Sequence, residues 1–478
     1  MTTSVAKCSR PEMIRHYVRA ARAAEAAKFD LVFLADSASI RGFDSPSFPY
    51  EERGVRLEPF TLLSALAAVA ERIGLVGTAS TTYNDPFNIA RRFASLDLLS
   101  GGRAGWNLVT SSNESDPGNF GQDGPVPHAQ RYRRAAEFAE VVDGLWGSLD
   151  ASALRYDKAS GVLADKEGIH PLRHEGQYFK VRGPLNVPPS PQGRPVLVQA
   201  GSSDDGRETA ARTAEMVFVA YQSFSEAREY YGDVKGRLGR YGRHPDELKI
   251  LPGVFPVVGR TEAEAREKFE SLQNLVDPVV GLGLLKTVAG GIDLSAYPLD
   301  GPLPEVPETN AGRSRQKLLL DLARRENYSI RQLYLHIAGA RGHWQLVGTA
   351  AEIADQLEYY FRNEAADGLN VMAPQLGWGL DDFIELVIPE LRKRGLFRTE
   401  YAGRTLRDHL GLARPPGRRR SDGTWLTTST NGFRWALSFI PRATMWPRGG
   451  TRTRSRTRAS IWRITRGWRD SPNPRAST

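Results

Sequence analysis

The sequence predicts an α/β chain folded as a (β/α)8 TIM barrel with insertions, and three observations carry that prediction. Short β-branched apolar runs recur along the chain, an amphipathic helical stretch follows most of them, and the runs are nearly continuously apolar rather than alternating. Continuous apolar strands separated by helices mark a parallel sheet covered on both faces. The runs are 30–35 (DLVFLA), 74–80 (GLVGTAS), 103–110 (RAGWNLVT), 195–200 (PVLVQA), 216–221 (MVFVAY), 250–258 (ILPGVFPVV) and 368–373 (GLNVMA). Helical periodicity fills 13–27, 59–72, 128–147, 204–214, 224–240, 261–274, 349–365 and 380–394. Eight strands close a barrel. The helix at 13–27 should follow a strand, yet residues 1–10 contain no candidate, so the first of the eight is expected to be missing. An open doubly wound sheet of seven strands is the alternative.

Two insertions interrupt the repeat. Residues 150–194 are charged and Pro-rich, with a short hairpin expected near 176–181, and residues 276–345 carry Gly and Pro clusters. An insertion on a βα loop overlies the active-site face, so the second is either a lid or surface packing. The barrel domain is expected over 11–412.

Composition bounds the class. The chain has 478 residues, 40% hydrophobic and 25% charged, within the globular range. Cys8 is the only cysteine, which excludes a disulfide framework and a cysteine-built metal site within one chain and fits a reducing, cytoplasmic setting. The longest apolar run, 60–70, is about half the length of a membrane span, so no membrane partner is expected. The net charge of +9 is uneven: residues 415–478 hold 14 Arg, no Lys and two acidic residues, whereas 1–414 hold 50 basic and 53 acidic residues. The body is therefore mildly acidic, and no nucleic-acid partner is expected. The tail also holds five of the nine Trp, shows no helix or strand period, and reads as a disordered segment resembling GC-rich coding sequence out of frame.

The chain lacks a G-x-G-x-x-G fingerprint, a P-loop and a G-x-S-x-G elbow. His170 and His174 are four apart but straddle Pro171, a poor metal site, and no metal is expected. So few reactive residues point to a bound organic cofactor. The turn in VLVQAGSSDDGRETAARTA (196–214) is the most informative segment: a buried strand ends at Gly201, and Ser202, Ser203 and Asp204 are helix-capping types. Such a turn suits a phosphate, because free backbone N–H groups and the positive helix end point the same way. Read alone, it is equally a set of ordinary caps. Three further segments are GTASTTYNDPFNIARR (77–92), LSGGRAGWNLVTSS (99–112) and PHAQRYRRAAE (127–137), the last setting His128 and Tyr132 four apart on one helix face.

Together, in this order, and with FDLVFLAD (29–36), NFG (119–121), GQYFKVRGPLNVPPSPQGRPVLVQAGSS (176–203) and DFIELVIPELRKRGLFRTEY (382–401), these segments resemble the bacterial luciferase-like flavin-dependent monooxygenase superfamily. The resemblance is to its nitrilotriacetate monooxygenase, pristinamycin IIA synthase and dibenzothiophene-sulfone monooxygenase group, and it covers about residues 12–412. It implies FMN, bound as FMNH2 and supplied by a separate NAD(P)H:flavin reductase. The implied reaction inserts one oxygen atom of O2 into a small organic substrate through a C4a-peroxyflavin, in a homodimer or larger assembly. The cofactor-binding residues it implies are Asp36, Thr81 and Ser111 at strand ends, His128 and Tyr132 toward the ribityl-phosphate end, and Ser202 and Ser203 at the phosphate. It also raises a cis bond at Ala79–Ser80. No catalytic acid or base is identified; His343 is a candidate for the barrel mouth. The competing readings are a deazaflavin-dependent oxidoreductase of the same superfamily and a non-catalytic flavin-binding remnant.

Overall fold

The computed structural model describes residues 10–40, 43, 48, 56–111, 113–289, 291–306, 313–340, 342–415 and 433–439. In chain order the helices and strands are α1 (Arg10–Ala26), β1 (Leu31–Leu34), α2 (Pro59–Ala67), β2 (Gly74–Ser80), α3 (Pro86–Leu99), β3 (Ala104–Val109), α4 (His128–Trp146), β4 (His174–Glu175) and β5 (Lys180–Val181). They continue with β6 (Val196–Ala200), α5 (Asp204–Thr213), β7 (Met216–Val219), α6 (Phe224–Arg237), β8 (Lys249–Gly259), α7 (Glu262–Asn274), α8 (Pro278–Val288), α9 (Arg313–Glu326) and α10 (Ile330–Ala340). The last are β9 (Trp344–Thr349), α11 (Ala350–Arg362), β10 (Gly368–Val371), α12 (Trp378–Asp382), α13 (Ile388–Lys393), α14 (Leu406–Leu410) and β11 (Arg434–Phe439).

Eight parallel strands close a barrel in the order β11-β1-β2-β3-β6-β7-β8-β10, with β10 paired to both β8 and β11. All seven strands expected from the apolar runs are present. The eighth is not absent. The gap between β10 and β1 is filled by β11, whose Ala436 pairs with Asn370 on one side and Leu31 on the other. This strand comes from the Arg- and Trp-rich tail, where the sequence offers no strand period. The physical reason is non-local: β1 and β10 would otherwise expose two unpaired edges in the middle of a parallel sheet. The rest of that tail, expected to be disordered, lies outside the described residues.

The alternation of the inserted strand is that of a barrel strand. Trp435 and Leu437 pack outward into the helix–sheet layer with Phe29, Phe383 and Phe397, while Ala436 joins the lumen with Leu31, Phe33, Val76, Val198, Met216, Phe218, Leu251 and Met372. Asp30, fully buried, fastens this strand: its carboxylate accepts from the Trp435 backbone N–H at 2.5 Å and from Arg398 at 2.5 Å. The floor of the barrel is plugged by α14, whose Leu406 and Leu410 enter the lumen cluster.

The strand β9, unremarked in the sequence, pairs with the outer half of β8 from Val254 to Gly259 and lies beyond the closed ring. The hairpin expected near 176–181 is the antiparallel pair β4–β5. Residues of the second insertion form α8, α9 and α10 with an apolar cluster of their own, built on Leu285, Leu294, Leu319, Leu333 and Ile337. Pro389 lies two residues beyond a π-helical turn at Phe383–Val387, which joins α12 to α13 and accommodates the backbone bond that a proline removes. Among the described residues no helix is long and apolar enough to cross a membrane.

Candidate functional site

In a parallel barrel the C-terminal strand ends form the working face. Asp36, Thr81 and Ser111 follow β1, β2 and β3, Ser202 and Ser203 follow β6, and these four strands are consecutive in the ring. The sequence-predicted residues therefore share one face and one side of it.

Ser203 is the N-cap of α5, its Oγ accepting from the Gly206 N–H at 3.2 Å. The Tyr132 hydroxyl comes within 3.4 Å of that Oγ, and the His128 ring packs on Tyr132 with centroids 4.8 Å apart. At Gly201 a Cβ would meet nothing closer than 3.8 Å, with the Tyr132 hydroxyl at 3.9 Å, so the turn is open toward Tyr132. Two acidic residues open α5, but both are engaged: Asp204 pairs with Arg237 at 2.6 Å and Asp205 with His128 at 3.4 Å. Arg207 donates to the Ser202 carbonyl at 3.1 Å and Tyr230 to the Gly201 carbonyl at 3.1 Å, which fixes the turn from beneath. The free N–H groups of a helix start, two hydroxyls and a histidine converge here. That set can hold a phosphate or a similar anion.

The neighbouring strand ends form a hydroxyl-rich rim. Thr81 donates from its backbone N–H to the Val109 carbonyl at 2.9 Å, and Ser111 Oγ donates to Ser80 Oγ at 2.7 Å. Ser111 has φ +45°, the left-handed region that a non-glycine residue seldom enters, and such outliers concentrate at functional sites. The Ala79–Ser80 bond is trans, contrary to expectation; among the described residues the cis bond is Gly183–Pro184. A non-proline cis bond costs about 2.5–4 kcal/mol, and Ser80 reaches Ser111 and Asn84 from ordinary strand geometry. Burial raises the Asp36 carboxyl above the usual range, with Asp116 and Glu58 adding to the rise against the Ser37 N–H and Arg56. Ser39 and Asn113 both bind Asp116, at 2.7 and 2.8 Å, tying the loop after β1 to the loop after β3.

His343 is buried and stacks on Phe218 of the lumen, centroids 5.1 Å apart and planes 11° from parallel. It sits against Gly253, where a Cβ would come within 2.4 Å of its Nδ1 and 2.8 Å of Phe218. Gly253→Ala is therefore expected to destabilise the fold by about 1–3 kcal/mol through overpacking. A urea unfolding midpoint equal to that of the parent chain would contradict this packing. His170 and His174 serve separate carboxylates, Asp150 at 3.0 Å and Glu137 at 3.1 Å. A groove along α1, lined by Ile14, Arg15, Val18, Arg19 and Arg22, takes no part in this site.

Sequence reasoning passed over Asn107 on β3 and Asn370 on β10, both buried in otherwise apolar strands. An amide inside a continuous apolar run was the available signal.

A closed parallel barrel with an open capped turn and hydroxyl-bearing strand ends on one face has the architecture of a barrel enzyme. Residues 2–367 match the luciferase-like monooxygenase family, and the chain belongs to that family. It is 52% identical over 410 residues to nitrilotriacetate monooxygenase component A of Aminobacter aminovorans, a match covering 84% of this chain and 90% of the relative. It is 50% identical to the N-acetyl-S-(2-succino)cysteine monooxygenase of Bacillus subtilis (strain 168), covering 84% and 91%. Among solved structures, DmoA from Hyphomicrobium sulfonivorans superposes with a TM-score of 0.77 at 32% identity, covering 85% of this chain and 87% of the other. The chain is accordingly a flavin-dependent monooxygenase of the luciferase-like kind.

Proposed function

We propose that this chain is the oxygenating component of a two-component system. It receives FMNH2 from a separate NAD(P)H:flavin reductase and delivers one oxygen atom of O2 to a small organic substrate. The observation that carries this reading is the convergence of Ser203, Tyr132 and His128 on the open turn at the N-terminus of α5. The designation of the Aminobacter relative as component A supports a second component here.

In this reading the α5 turn binds the FMN phosphate through Ser202, Ser203 and backbone N–H groups, with the Tyr132 hydroxyl and His128 closing over it. Ser111, bonded to Ser80 Oγ, would offer its hydroxyl to the ring side of the mouth, while Thr81, buried with its hydroxyl on the Val109 carbonyl at 3.2 Å, would line that side from the strand end. Asp36, its carboxyl raised by burial, would offer a hydrogen-bonding group at the same face. Bound FMNH2 supplies the activation of O2; the second oxygen atom leaves as water. The chain's own work is to anchor, orient and exclude solvent, and the apolar lumen beneath the mouth, with Phe33, Phe218 and Met372, serves the last of these. The identity to relatives named monooxygenases favours oxygen insertion over deazaflavin hydride transfer. Soluble expression as a homodimer or larger assembly is the accompanying expectation.

The test is binding first and labelling second. FMNH2 is expected to bind the purified chain more tightly than reduced deazaflavin. With a flavin reductase, NADH and ¹⁸O2, one labelled atom is expected in the product of a screen built on aminopolycarboxylates and sulfur compounds. Tighter binding of reduced deazaflavin, or consumption of FMNH2 without label in any organic product across the screen, would count against the proposal.

A further inference from the structure

The inserted strand β11 carries more than the closure of the barrel. Its lumen-facing positions are Arg434, Ala436 and Ser438, and Ser438 pairs in register with Phe33 of β1. On the other side Asn370 pairs with Ala436 and also with Gly253 of β8. In parallel register, partners share a face, so Asn370 and Ser438 stand diagonally on one wall of the lumen, Ser438 nearer the mouth. Asn370 is 1% exposed and Ser438 4% exposed. Neither amide atom of Asn370, nor the Ser438 Oγ, meets a hydrogen-bond partner among the described residues. An unpaired buried polar group is destabilising, so two on one wall call for a polar partner that reaches both.

Their position in the ring identifies that group. Counted either way around the barrel, β11 stands four strands from β6, so Ser438 lies across the mouth from the turn that carries Ser203. A flavin anchored by its phosphate at Ser203 and laid over the mouth brings its ring system toward β10 and β11. The polar edge of an isoalloxazine alternates carbonyl acceptors with an imide donor. A side-chain amide with one donor and one acceptor group, next to a hydroxyl, complements that edge. Phe33, Phe218 and Met372 supply the apolar surface beside it.

We infer that Asn370 and Ser438 bind the polar edge of the flavin ring, so that insertion of β11 and flavin binding stabilise one another. The inference rests on the FMN reading above. Whatever binds only the closed barrel stabilises the strand that closes it.

The experiment compares the full-length chain with Asn370→Ala, Ser438→Ala and the double variant. FMN affinity is followed by fluorescence quenching and dithionite-reduced FMN affinity by anaerobic calorimetry; hydrogen exchange of 433–439 is followed with and without saturating FMN. Each single variant is expected to weaken binding about 3- to 10-fold and the double at least 10-fold, as expected for lost hydrogen bonds. Saturating FMN is expected to slow exchange in 433–439 in the parent chain. If the parent binds FMN and both single variants bind it equally well, Asn370 and Ser438 serve buried water instead; the inference falls while the FMN reading stands. If the double variant does not fold, exchange in the parent decides, and unchanged protection of 433–439 overturns the linkage. Failure of the parent to bind FMN overturns both readings.

Discussion

Ser203→Asp is expected to lower FMN affinity at least ~100-fold while leaving the unfolding midpoint nearly unchanged. Asp and Ser are near-equal N-cap residues, so the bond now made by Ser203 Oγ to the Gly206 N–H has a natural replacement and α5 keeps its first turn. The added carboxylate, however, would stand where the phosphate is proposed to bind, and like charges in such juxtaposition cost several kcal/mol. The companion Ser203→Ala removes the cap without adding charge. It should cost about 1 kcal/mol of stability and weaken FMN far less. The pair separates charge from capping, since a purely structural Ser203 predicts the reverse ranking. Calorimetric titration with FMN and a thermal melt of each variant give both numbers; an Asp variant that binds FMN like the parent removes the phosphate from this turn.

Glu215→Ala is expected to have the largest effect on folding, about 3–5 kcal/mol of lost stability. Glu215 lies in the turn between α5 and β7, half-buried against two guanidinium groups. Arg407 of α14 holds it in a two-pronged pair at 2.7 and 3.0 Å, and Arg194 reaches it at 3.2 Å. The Leu197 N–H adds a fourth donor at 3.0 Å. Removal of the carboxylate leaves Arg407, 2% exposed, as an uncompensated buried charge, and frees the helix that plugs the barrel floor.

The same site sets an acid limit. Burial alone would raise the Glu215 pKa, but Arg194 and Arg407 outweigh it and hold the carboxyl down to about 2, against an ordinary 4.5. A depressed carboxylate gives its full stabilisation above the unfolded value and loses it as pH falls. The contribution should therefore be complete above about 4.5 and decline toward about 2. Urea midpoints of parent and variant should differ most above about pH 5 and converge toward about pH 2. A gap independent of pH over that range would show that the ion pair is not its source.

Much of the fold was legible because its signals are local. The runs at 30–35, 74–80, 103–110 and 195–200 are nearly continuously apolar, since each strand is buried on both faces. Ser203 announced its cap because a side chain that bonds a backbone N–H three residues on needs no distant partner. What stayed hidden depends on remote neighbours. RWALSF lies in a tail with no strand period and no following helix to mark it as a repeat unit; it becomes a strand because β1 and β10 offer edges on both sides, and Asp30 grips Trp435 from 405 residues away. The left-handed φ of Ser111 and the stacking of His343 on Phe218 likewise have no local signature.

The sequence by itself determined the parallel α/β repeat, the capped turn after β6 and the membership of His128 and Tyr132 on one helix face, because each follows from periodicity or from contacts within a few residues. The tertiary structure alone decided which segment closes the barrel, and that Asn370 and Ser438 share its inner wall. Those outcomes are pairings between edges far apart in the chain, and a strand edge accepts whatever register satisfies its hydrogen bonds and buries its apolar face.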